Sequence, residues 1–353
     1  MKIAIHHREG SFSSYWIEYC KKNSIPFKIV NAYADDIIKQ LDDCDALMWH
    51  YHQDNISDNN VAKQMLYALQ QSGKIVFPDF ATGWYFDDKV GQKYLLEATD
   101  SPVVNSHVFL DKKSALEWCK SAKYPLVFKL RGGAGSFNIK LIKNYNEATK
   151  LINIAFGKGF PRRNLAHTVT YSWEKLKSKR ITLRNFINLN VSELLWHINP
   201  NKVNHKETGY IYFQEFIPDN DHDIRVIVIG ERAFAIKRMC RENDFRASGS
   251  GKMIYDCNQI PDECVSLSFK TARKLRSRCI GFDWVINEDG DFKIVEIGYG
   301  FTAKAYFDCE GYWTSDMQWH EGSEFDFCGW MVDEVIQEIA HKGLAKSVSE
   351  IDA

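Results

Sequence analysis

Short apolar runs alternate with amphipathic stretches over the first hundred residues of the chain. Short, continuous apolar runs predict buried strands, and apolar residues that recur every three or four positions predict helices. The predicted strands are residues 2–5, 27–30, 46–49 and 75–77, and the predicted helices are residues 13–22, 35–41 and 59–71. This alternation with short connections predicts a parallel sheet covered on both faces. No G-x-G-x-x-G motif follows the first strand, which argues against a dinucleotide site.

The pattern changes after Pro102, where antiparallel hairpins become frequent. Further strands are predicted at residues 123–130, 138–142, 210–216, 224–229, 233–238, 282–286 and 292–297, and further helices at 147–155, 262–277 and 330–341. Turns at residues 230–231 and 287–290 would close two of the hairpins. Residues 157–208 show no clear period, and we predict an irregular segment there. The fold class is therefore an α/β layer followed by an α+β region.

Composition adds limits to this picture. The chain has 353 residues, 45% of them hydrophobic and 26% charged, which is typical of a globular protein of two or three structural units. The net charge of −1 offers no overall field to attract nucleic acid or an anionic membrane. No apolar run approaches the roughly 18–20 residues of a membrane span. The nine scattered cysteines, without a C-x-x-C pair, suggest reduced thiols and a cytoplasmic location.

The glycine-rich stretch RGGAGS joins two predicted strands. Glycines allow backbone N–H groups to converge on one anion, and a serine adds a hydroxyl donor. The residues concerned are Gly132, Gly133, Gly135 and Ser136, with Lys129 just before them at the end of a strand. The stretch could therefore form a flap over a phosphate chain. Most glycine-rich hairpin turns bind nothing, so this alternative stays open.

A second candidate is the strand end formed by Gln214, Glu215, Phe216 and Ile217. A strand that stops exposes alternating backbone N–H and C=O groups, which could bind the edge of an adenine. One of the acids in the stretch that follows, residues 219–223, could accept both hydroxyl groups of a ribose. The alternative is an edge strand followed by a solvated acidic turn.

Acidic and basic side chains recur on the later hairpins. Asp283 and Glu296 lie at similar distances from the turn that joins their strands, so they should be cross-strand neighbours able to share Mg²⁺. The arginines are Arg225, Arg238 and Arg246, and arginine is suited to holding phosphoryl and carboxylate oxygens. A structural salt bridge for the acids, and a surface position for each arginine, are the alternatives.

The order of these motifs between residues 88 and 300 resembles the ATP-grasp superfamily, in particular the RimK-like and glutathione-synthetase-like carboxylate–amine ligases. Residues 1–104 share only the organisation of that superfamily's pre-ATP-grasp layer. The stretch from GYIYFQEFIPDNDHDIRVIVIG to EIGYGF looks most like ATP-grasp proteins encoded among bacterial surface-polysaccharide genes. The resemblance implies a pre-ATP-grasp domain (1–104), a small ATP-grasp lobe (105–208) and a large lobe (209–353).

The resemblance also implies roles for the candidate residues. Lys89 in FDDKVGQKYLLEA and Lys129 would contact the nucleotide phosphates, and Gly132, Gly133, Gly135 and Ser136 would form a lid over them. Gln214, Glu215, Phe216 and Ile217 would hold adenine, and Asp223 the ribose. Arg225, Arg238 and Arg246 would face the γ-phosphate and an acyl-phosphate intermediate, and Asp283 and Glu296 would bind Mg²⁺. The family usually reads E-x-N at the metal strand, whereas this chain has Glu296-Ile297-Gly298, so a second metal ion would have to use water, a backbone carbonyl or a nearby group such as Thr302.

The implied cofactors are ATP and Mg²⁺, and the implied activity is formation of an amide from a small-molecule carboxylate and an amine. Candidate substrates are an amino acid or amine and a uronic-acid sugar, since residues 299–319 carry many aromatics and residues 157–208 carry ten Lys or Arg against three Glu. Core packing and a solvated face are the alternatives for these two segments. We expect no nucleic-acid partner, and homo-oligomers are common among ligases of the kind that this chain resembles. A small-molecule kinase and a non-catalytic nucleotide-binding module are the alternative functions.

Overall fold

The computed structural model describes residues 1–53, 55–133, 139–161, 165–177, 181–198, 206–241, 244–247 and 251–351. The chain divides into two compact units. The large unit comprises Met1–Val104 together with Ile217–Ala353, and the small unit comprises Asn105–Phe216.

The large unit begins with a four-stranded parallel sheet in the order β2-β1-β3-β4. Its strands are β1 (Ile3–His6), β2 (Phe27–Val30), β3 (Ala46–Trp49) and β4 (Ile75–Phe77), and the helices of this region are α1 (Phe12–Lys22), α2 (Ile37–Gln40), α3 (Ile56–Gln71), α4 (Phe80–Gly83) and α5 (Lys89–Ala98). Helix α1 begins where the Ser11 side chain accepts a hydrogen bond from the Ser13 N–H, and it buries Trp16 and Cys20. The predicted parallel sheet is confirmed.

The small unit is built on an antiparallel sheet in the order β5-β10-β6-β7. Its elements are β5 (Ser106–Phe109), α6 (Lys112–Ser121), β6 (Leu126–Lys129), β7 (Lys140–Ile142), α7 (Tyr145–Ala155), β8 (Phe160–Pro161), α8 (Leu165–Lys177), α9 (Leu183–Ile198), β9 (Lys206–Glu207) and β10 (Ile211–Glu215). Phe128 and Phe213 of the sheet form a core with Ile152 of α7 and Cys119 of α6. Strands β8 and β9 form a separate short pair.

The prediction that residues 157–208 are irregular is wrong, because α8 and α9 lie there and pack against each other. The rings of Trp173 and Phe186 lie 5.8 Å apart between centroids, and the Asn190 side chain donates to Ser172 Oγ at 2.9 Å. Helix α9 has apolar residues spread around its circumference, which hides the helical period in the sequence. The exposed members of that set are Leu183, Ile187, Leu189, Val191, Leu194, Leu195 and Ile198.

The remainder of the large unit is a seven-stranded antiparallel sheet in the order β15-β14-β11-β12-β16-β17, with β13 paired to β12. Its elements are β11 (His222–Ile229), β12 (Arg232–Met239), β13 (Met253–Ile254), α10 (Asp262–Leu275), β14 (Cys279–Ile286), β15 (Phe292–Gly298), β16 (Gly311–Thr314), β17 (Trp319–Glu321) and α11 (Phe327–Ile351). Both predicted hairpins, β11–β12 and β14–β15, are confirmed. None of the helices in the described ranges is long and apolar enough to cross a bilayer.

Each face of this sheet has its own core. Val226 and Phe282 pack with Phe269 of α10 on one face. On the other face Ile227 and Phe234 belong to the same core as the parallel sheet. The edge of the sheet at β15 is extended by residues 102–104, because Ile294 N–H donates to the Pro102 carbonyl at 2.7 Å and the Ile294 carbonyl accepts from the Val104 N–H at 3.0 Å.

Candidate active site

The candidate residues are distributed over both units. The small unit contains Lys129, Gly132, Gly133, Gln214, Glu215 and Phe216, and the large unit contains Lys89, Ile217, Asp223, Arg225, Arg238, Arg246, Asp283 and Glu296. Gly135 and Ser136 lie outside the described residues.

The strand register of the large unit aligns several of these side chains. Asp283 on β14 lies opposite Glu296 on β15 and opposite Arg225 on β11. Asp223, two residues before Arg225 on β11, lies opposite Arg238 on β12. Cross-strand neighbours project from the same face of a sheet, as do residues two apart on one strand. The five side chains therefore share one face, and the predicted pairing of Asp283 with Glu296 across the hairpin is confirmed.

The acids and arginines of this face form a continuous set of ion pairs. Arg225 donates to Asp283 through Nε and, at 2.6 Å, through Nη2. Arg238 donates to Asp223 through Nε at 2.7 Å and Nη2 at 2.6 Å, and its Nη2 lies 3.0 Å from Asp283 Oδ1. These are bidentate contacts of the kind that guanidinium and carboxylate geometry favours. Asp283 is thus held by two arginines, and Asp223 by one.

Burial and charge act in opposite directions on the two aspartates. Burial raises the pKa of Asp283, but the charges and hydrogen bonds of Arg225 and Arg238 outweigh it and hold that pKa below its usual value. For Asp223 burial is the larger effect, and its pKa is raised despite the contact with Arg238. The Tyr306 hydroxyl beside them is buried, which raises its pKa to about 12. The set thus contains an ionised Asp283 in a site where little water reaches.

Lys89 brings a further cation to this face from helix α5. The helix begins after Asp88, whose side chain accepts a hydrogen bond from the Gly91 N–H at 2.9 Å. Lys89 is 5% exposed, and its Nζ lies 3.1 Å from Glu296 Oε1. Burial lowers the pKa of Lys89, but Glu296 and Asp87 more than offset this and raise it. Lys89 is therefore a buried ammonium paired with one of the predicted metal ligands.

Arg246 has a different partner. It lies between β12 and β13, and its guanidinium donates to the Asp244 carboxylate, with the Nε 2.8 Å from Oδ2. Asp244 and Arg246 lie two residues apart in the chain, so this contact is local.

The small unit positions its candidates around β6 and β10. Lys129 is the last residue of β6, is buried, and lies opposite Tyr212 in the register. The Gln214 side chain is buried and donates to Ser106 Oγ at 3.1 Å, whereas the Glu215 side chain is exposed and accepts from Asn105 at 3.0 Å. Sequence reasoning expected both near adenine. The structure shows that the side chain of Gln214 is committed to the sheet of its own unit.

The start of the glycine-rich stretch is anchored by a residue that the sequence analysis missed. The Tyr210 hydroxyl accepts a hydrogen bond from the Arg131 N–H at 2.6 Å and donates to Glu207 at 3.0 Å. Gly133 has a φ of +112°, which side-chain-bearing residues rarely adopt. The stretch therefore leaves the sheet from a fixed point.

The site fits one divalent cation. Asp283 and Glu296 are adjacent carboxylates, and Mg²⁺ prefers oxygen ligands of this kind. Gly298, the next residue on the same side of β15, adds no side-chain oxygen, and the Thr302 side chain is exposed. Among the residues that the structure describes, Asp283 and Glu296 are the carboxylates that this hairpin offers to one Mg²⁺.

The histidines at the carboxyl ends of β1 and β3 have structural partners. His6 Nδ1 accepts from the Ala32 N–H at 2.9 Å, and His50 Nδ1 accepts from the Phe12 N–H at 3.1 Å. Burial lowers the pKa of both residues, most strongly that of His50. The two rings thus accept backbone hydrogen bonds as neutral imidazoles. All nine cysteines are free thiols, and seven of them are buried.

The fold is similar to that of solved ATP-grasp proteins. Residues 201–304 match the family model of the RimK-like ATP-grasp domain. A RimK domain ATP-grasp protein from Sphaerobacter thermophilus is 13% identical, with a TM-score of 0.54 over 95% of this chain and 100% of that chain. No curated protein sequence matches the chain.

Two other solved structures are similar. The biotin carboxylase domain of the 2-oxoglutarate carboxylase from Hydrogenobacter thermophilus, solved with MgADP, ADP and bicarbonate, is 13% identical, with a TM-score of 0.58 over 95% of this chain and 69% of that chain. The ATP-grasp ligase PsnB, solved with a minimal precursor, Mg and ADP, is 11% identical, with a TM-score of 0.52 over 96% of this chain and 98% of that chain. The chain therefore has the ATP-grasp fold, and the match to the RimK-like ATP-grasp domain covers residues 201–304.

Proposed function

We propose that the protein is an ATP-dependent ligase that joins a carboxylate to an amine through an acyl phosphate, with Mg²⁺ as cofactor. The observation that carries the proposal is the partly buried face that Asp223, Arg225, Arg238, Asp283 and Glu296 share within the segment matched by the RimK-like domain. Buried charges are costly unless they are paired or serve a ligand. The similar proteins solved with MgADP bind the ligands that such a face suits.

The arginines supply the chemistry that acyl-phosphate formation needs. Attack of a carboxylate on the γ-phosphate brings two anions together, so preorganised positive charge lowers the barrier. Arg225 and Arg238 each use Nε and Nη2 on an aspartate, and a guanidinium has five N–H donors. Donors on both side chains therefore remain for oxygens of the substrate or the γ-phosphate. The aspartates hold the two guanidinium groups in place before substrate arrives.

The remaining roles follow the resemblance. Lys89 and Lys129 would contact phosphates, Gly132, Gly133, Gly135 and Ser136 would cover them, and Gln214, Glu215, Phe216 and Ile217 would bind adenine with Asp223 near the ribose. For Gln214 this role falls to the backbone, because its side chain is hydrogen-bonded to Ser106. Arg246 would reach the phosphates from its loop. Closure of the lid would exclude water from an acyl phosphate that water would otherwise hydrolyse.

A sugar-linked acceptor in surface-polysaccharide biosynthesis is our proposal for the substrate class. Its support is the resemblance of the stretch from residue 209 to residue 301. The aromatic residues that follow the metal strand add little support for a sugar substrate, because most of them belong to the core. Phe307 is the exposed one among the residues described there. The buried members are Tyr299, Phe301, Tyr306 and Trp313.

The experiment is an ADP-release screen that pairs amino acids and amines with uronic-acid sugar nucleotides, with mass spectrometry of any product. We expect ADP, free phosphate and an amide product from at least one pair. Asp283→Asn and Glu296→Gln should abolish this turnover while the protein stays folded. Glu288→Gln, an exposed acid in the turn of the same hairpin, is the matched control and should behave as wild type.

The other outcomes separate the alternatives. Phosphate retained on the acceptor identifies a kinase. ATP binding without any substrate-dependent release of ADP identifies a non-catalytic nucleotide-binding module, the second candidate, which Gly298 favours because it removes a side-chain ligand from the metal strand. Wild-type turnover by Asp283→Asn or Glu296→Gln would refute the ligase proposal.

A further inference from the structure

Helix α5 docks onto strand β15 through two of its residues one turn apart. Lys89 Nζ lies 3.1 Å from Glu296 Oε1, and Gln92 Oε1 accepts a hydrogen bond from the Ile297 N–H at 3.3 Å. Residues three apart in a helix lie on the same side, so both contacts come from one face of α5. Lys89 and Gln92 are both buried. The ammonium is therefore fixed against Glu296 by the packing of the helix.

Gly298 is part of the same arrangement. A Cβ built on Gly298 would lie 3.7 Å from the ring of Phe86, and one built on Gly300 would lie 2.8 Å from it. Phe86 stands three residues before Lys89 and is 9% exposed. The ring thus covers the end of β15, where the side chain of an E-x-N asparagine would begin. The distance at Gly298 is an ordinary van der Waals contact, so Gly300 is the residue that must lack a side chain for the Phe86 ring to pack here.

The acidic side chains of this face are paired with cationic side chains of the protein. Three carboxylates meet three cationic side chains in direct contact. The carboxylates are Asp223, Asp283 and Glu296, and the cationic side chains are Arg225, Arg238 and Lys89. Each of the three carboxylates on this face thus already has a cationic side chain beside it.

We propose that the Lys89 ammonium takes the place of a second metal ion, so that the nucleotide-bound protein holds one divalent cation and Lys89 remains the counter-ion of Glu296. The inference rests on the proposed nucleotide-binding function. An ammonium has three N–H donors, so Lys89 can keep its contact with Glu296 and still donate to a phosphate oxygen. Lys89 is in this sense a residue that sets the metal content of the site.

The test measures bound Mn²⁺ with and without ADP. Wild-type protein and the variants Lys89→Met and Lys89→Gln are separated from free ligand, and Mn²⁺ and ADP per chain are counted by elemental analysis and absorbance. We expect one Mn²⁺ per ADP for wild type and two for the variants. In the absence of ADP, we expect at least a tenfold rise in Mn²⁺ affinity for the variants, since Glu296 has lost its counter-ion.

Two controls complete the test. Lys93→Met changes a lysine one turn later on α5, which is paired with Glu97, and should keep the wild-type count. Lys89→Arg keeps the charge and should also bind one Mn²⁺. Two Mn²⁺ per ADP in wild type, or unchanged Mn²⁺ affinity in both neutral variants, would overturn the inference. Failure of wild type to bind ADP would refute the proposed function, while the ADP-free titrations would still decide the role of Lys89.

Discussion

Arg238 is the side chain whose removal should disturb the acid–arginine face most. It is 7% exposed and touches both aspartates, with Nε and Nη2 on Asp223 and Nη2 also 3.0 Å from Asp283. Arg238→Met keeps most of the side-chain volume and removes the charge. The substitution would leave Asp223 buried without the cation that now pairs with it.

The size of the effect follows from the cost of a buried, uncompensated charge. Removing one partner of a buried ion pair typically costs about 3–5 kcal/mol of unfolding free energy, and we expect Arg238→Met to fall in this range. Asp223→Asn should cost less, about 1–3 kcal/mol, because Arg238 keeps its contact with Asp283. The double variant buries no unpaired charge at this position, so its loss should be well below the sum of the single losses.

The assay is urea unfolding of the four proteins followed by tryptophan fluorescence. Arg273→Met is the matched control, because Arg273 makes an equally short contact with Glu231, at 2.6 Å, on an exposed surface. An exposed pair contributes about 0–1 kcal/mol, so this control should barely change the unfolding free energy. A loss below about 1 kcal/mol for Arg238→Met, or strictly additive losses in the double variant, would refute the reasoning.

Two further predictions concern pH and backbone packing in the large unit. Burial lowers the pKa of His50, so below about pH 6.5 the unfolded chain binds a proton that the folded protein does not. The free energy of unfolding therefore decreases as the pH falls, by up to about 1.4 kcal/mol per pH unit. His50→Asn, which keeps an acceptor for the Phe12 N–H, should reduce this slope by about one proton in urea titrations between pH 6.5 and 5.5, and an unchanged slope would contradict the assignment. Gly311→Ala should lower the thermal midpoint, because its Cβ would overlap the His320 carbonyl oxygen in the β16–β17 hairpin. Gly343→Ala, which meets nothing within 4 Å in α11, should leave the midpoint unchanged or raise it, and equal losses in both variants would count against the packing argument.

The strands of the acid–arginine face could be predicted from the sequence because the information is local. The turn between β14 and β15 sets the register, and counting outward from it pairs Asp283 with Glu296. The alternation of Asp223 and Arg225 with apolar residues likewise indicates one shared face. These features depend on the two-residue alternation of side chains along a strand and on a short turn between strands, and both can be recognised in the amino-acid sequence.

The rest of the site depends on contacts between distant segments. The pairing of Lys89 with Glu296 joins residues 207 positions apart, and it requires the docking of α5, which no periodicity encodes. The predicted helix near residues 35–41 shortens to Ile37–Gln40 in the structure. The motif order suggested a role for Lys89 at the phosphates, but it could not show that a carboxylate already holds this lysine. Gln92, one helical turn later, could have been found by asking which residues share the side of Lys89.

The backbone of residues 102–104 occupies the edge of the larger sheet beside Ile294. An open sheet edge offers unpaired N–H and C=O groups to other chains and promotes aggregation. A fragment that starts after this segment would carry β15 as a bare edge and would also lose the helix that holds Glu296. A shortened protein for crystallography or screening should therefore keep the first hundred residues. They cover the edge strand β15 against aggregation, and they keep Lys89 in contact with Glu296.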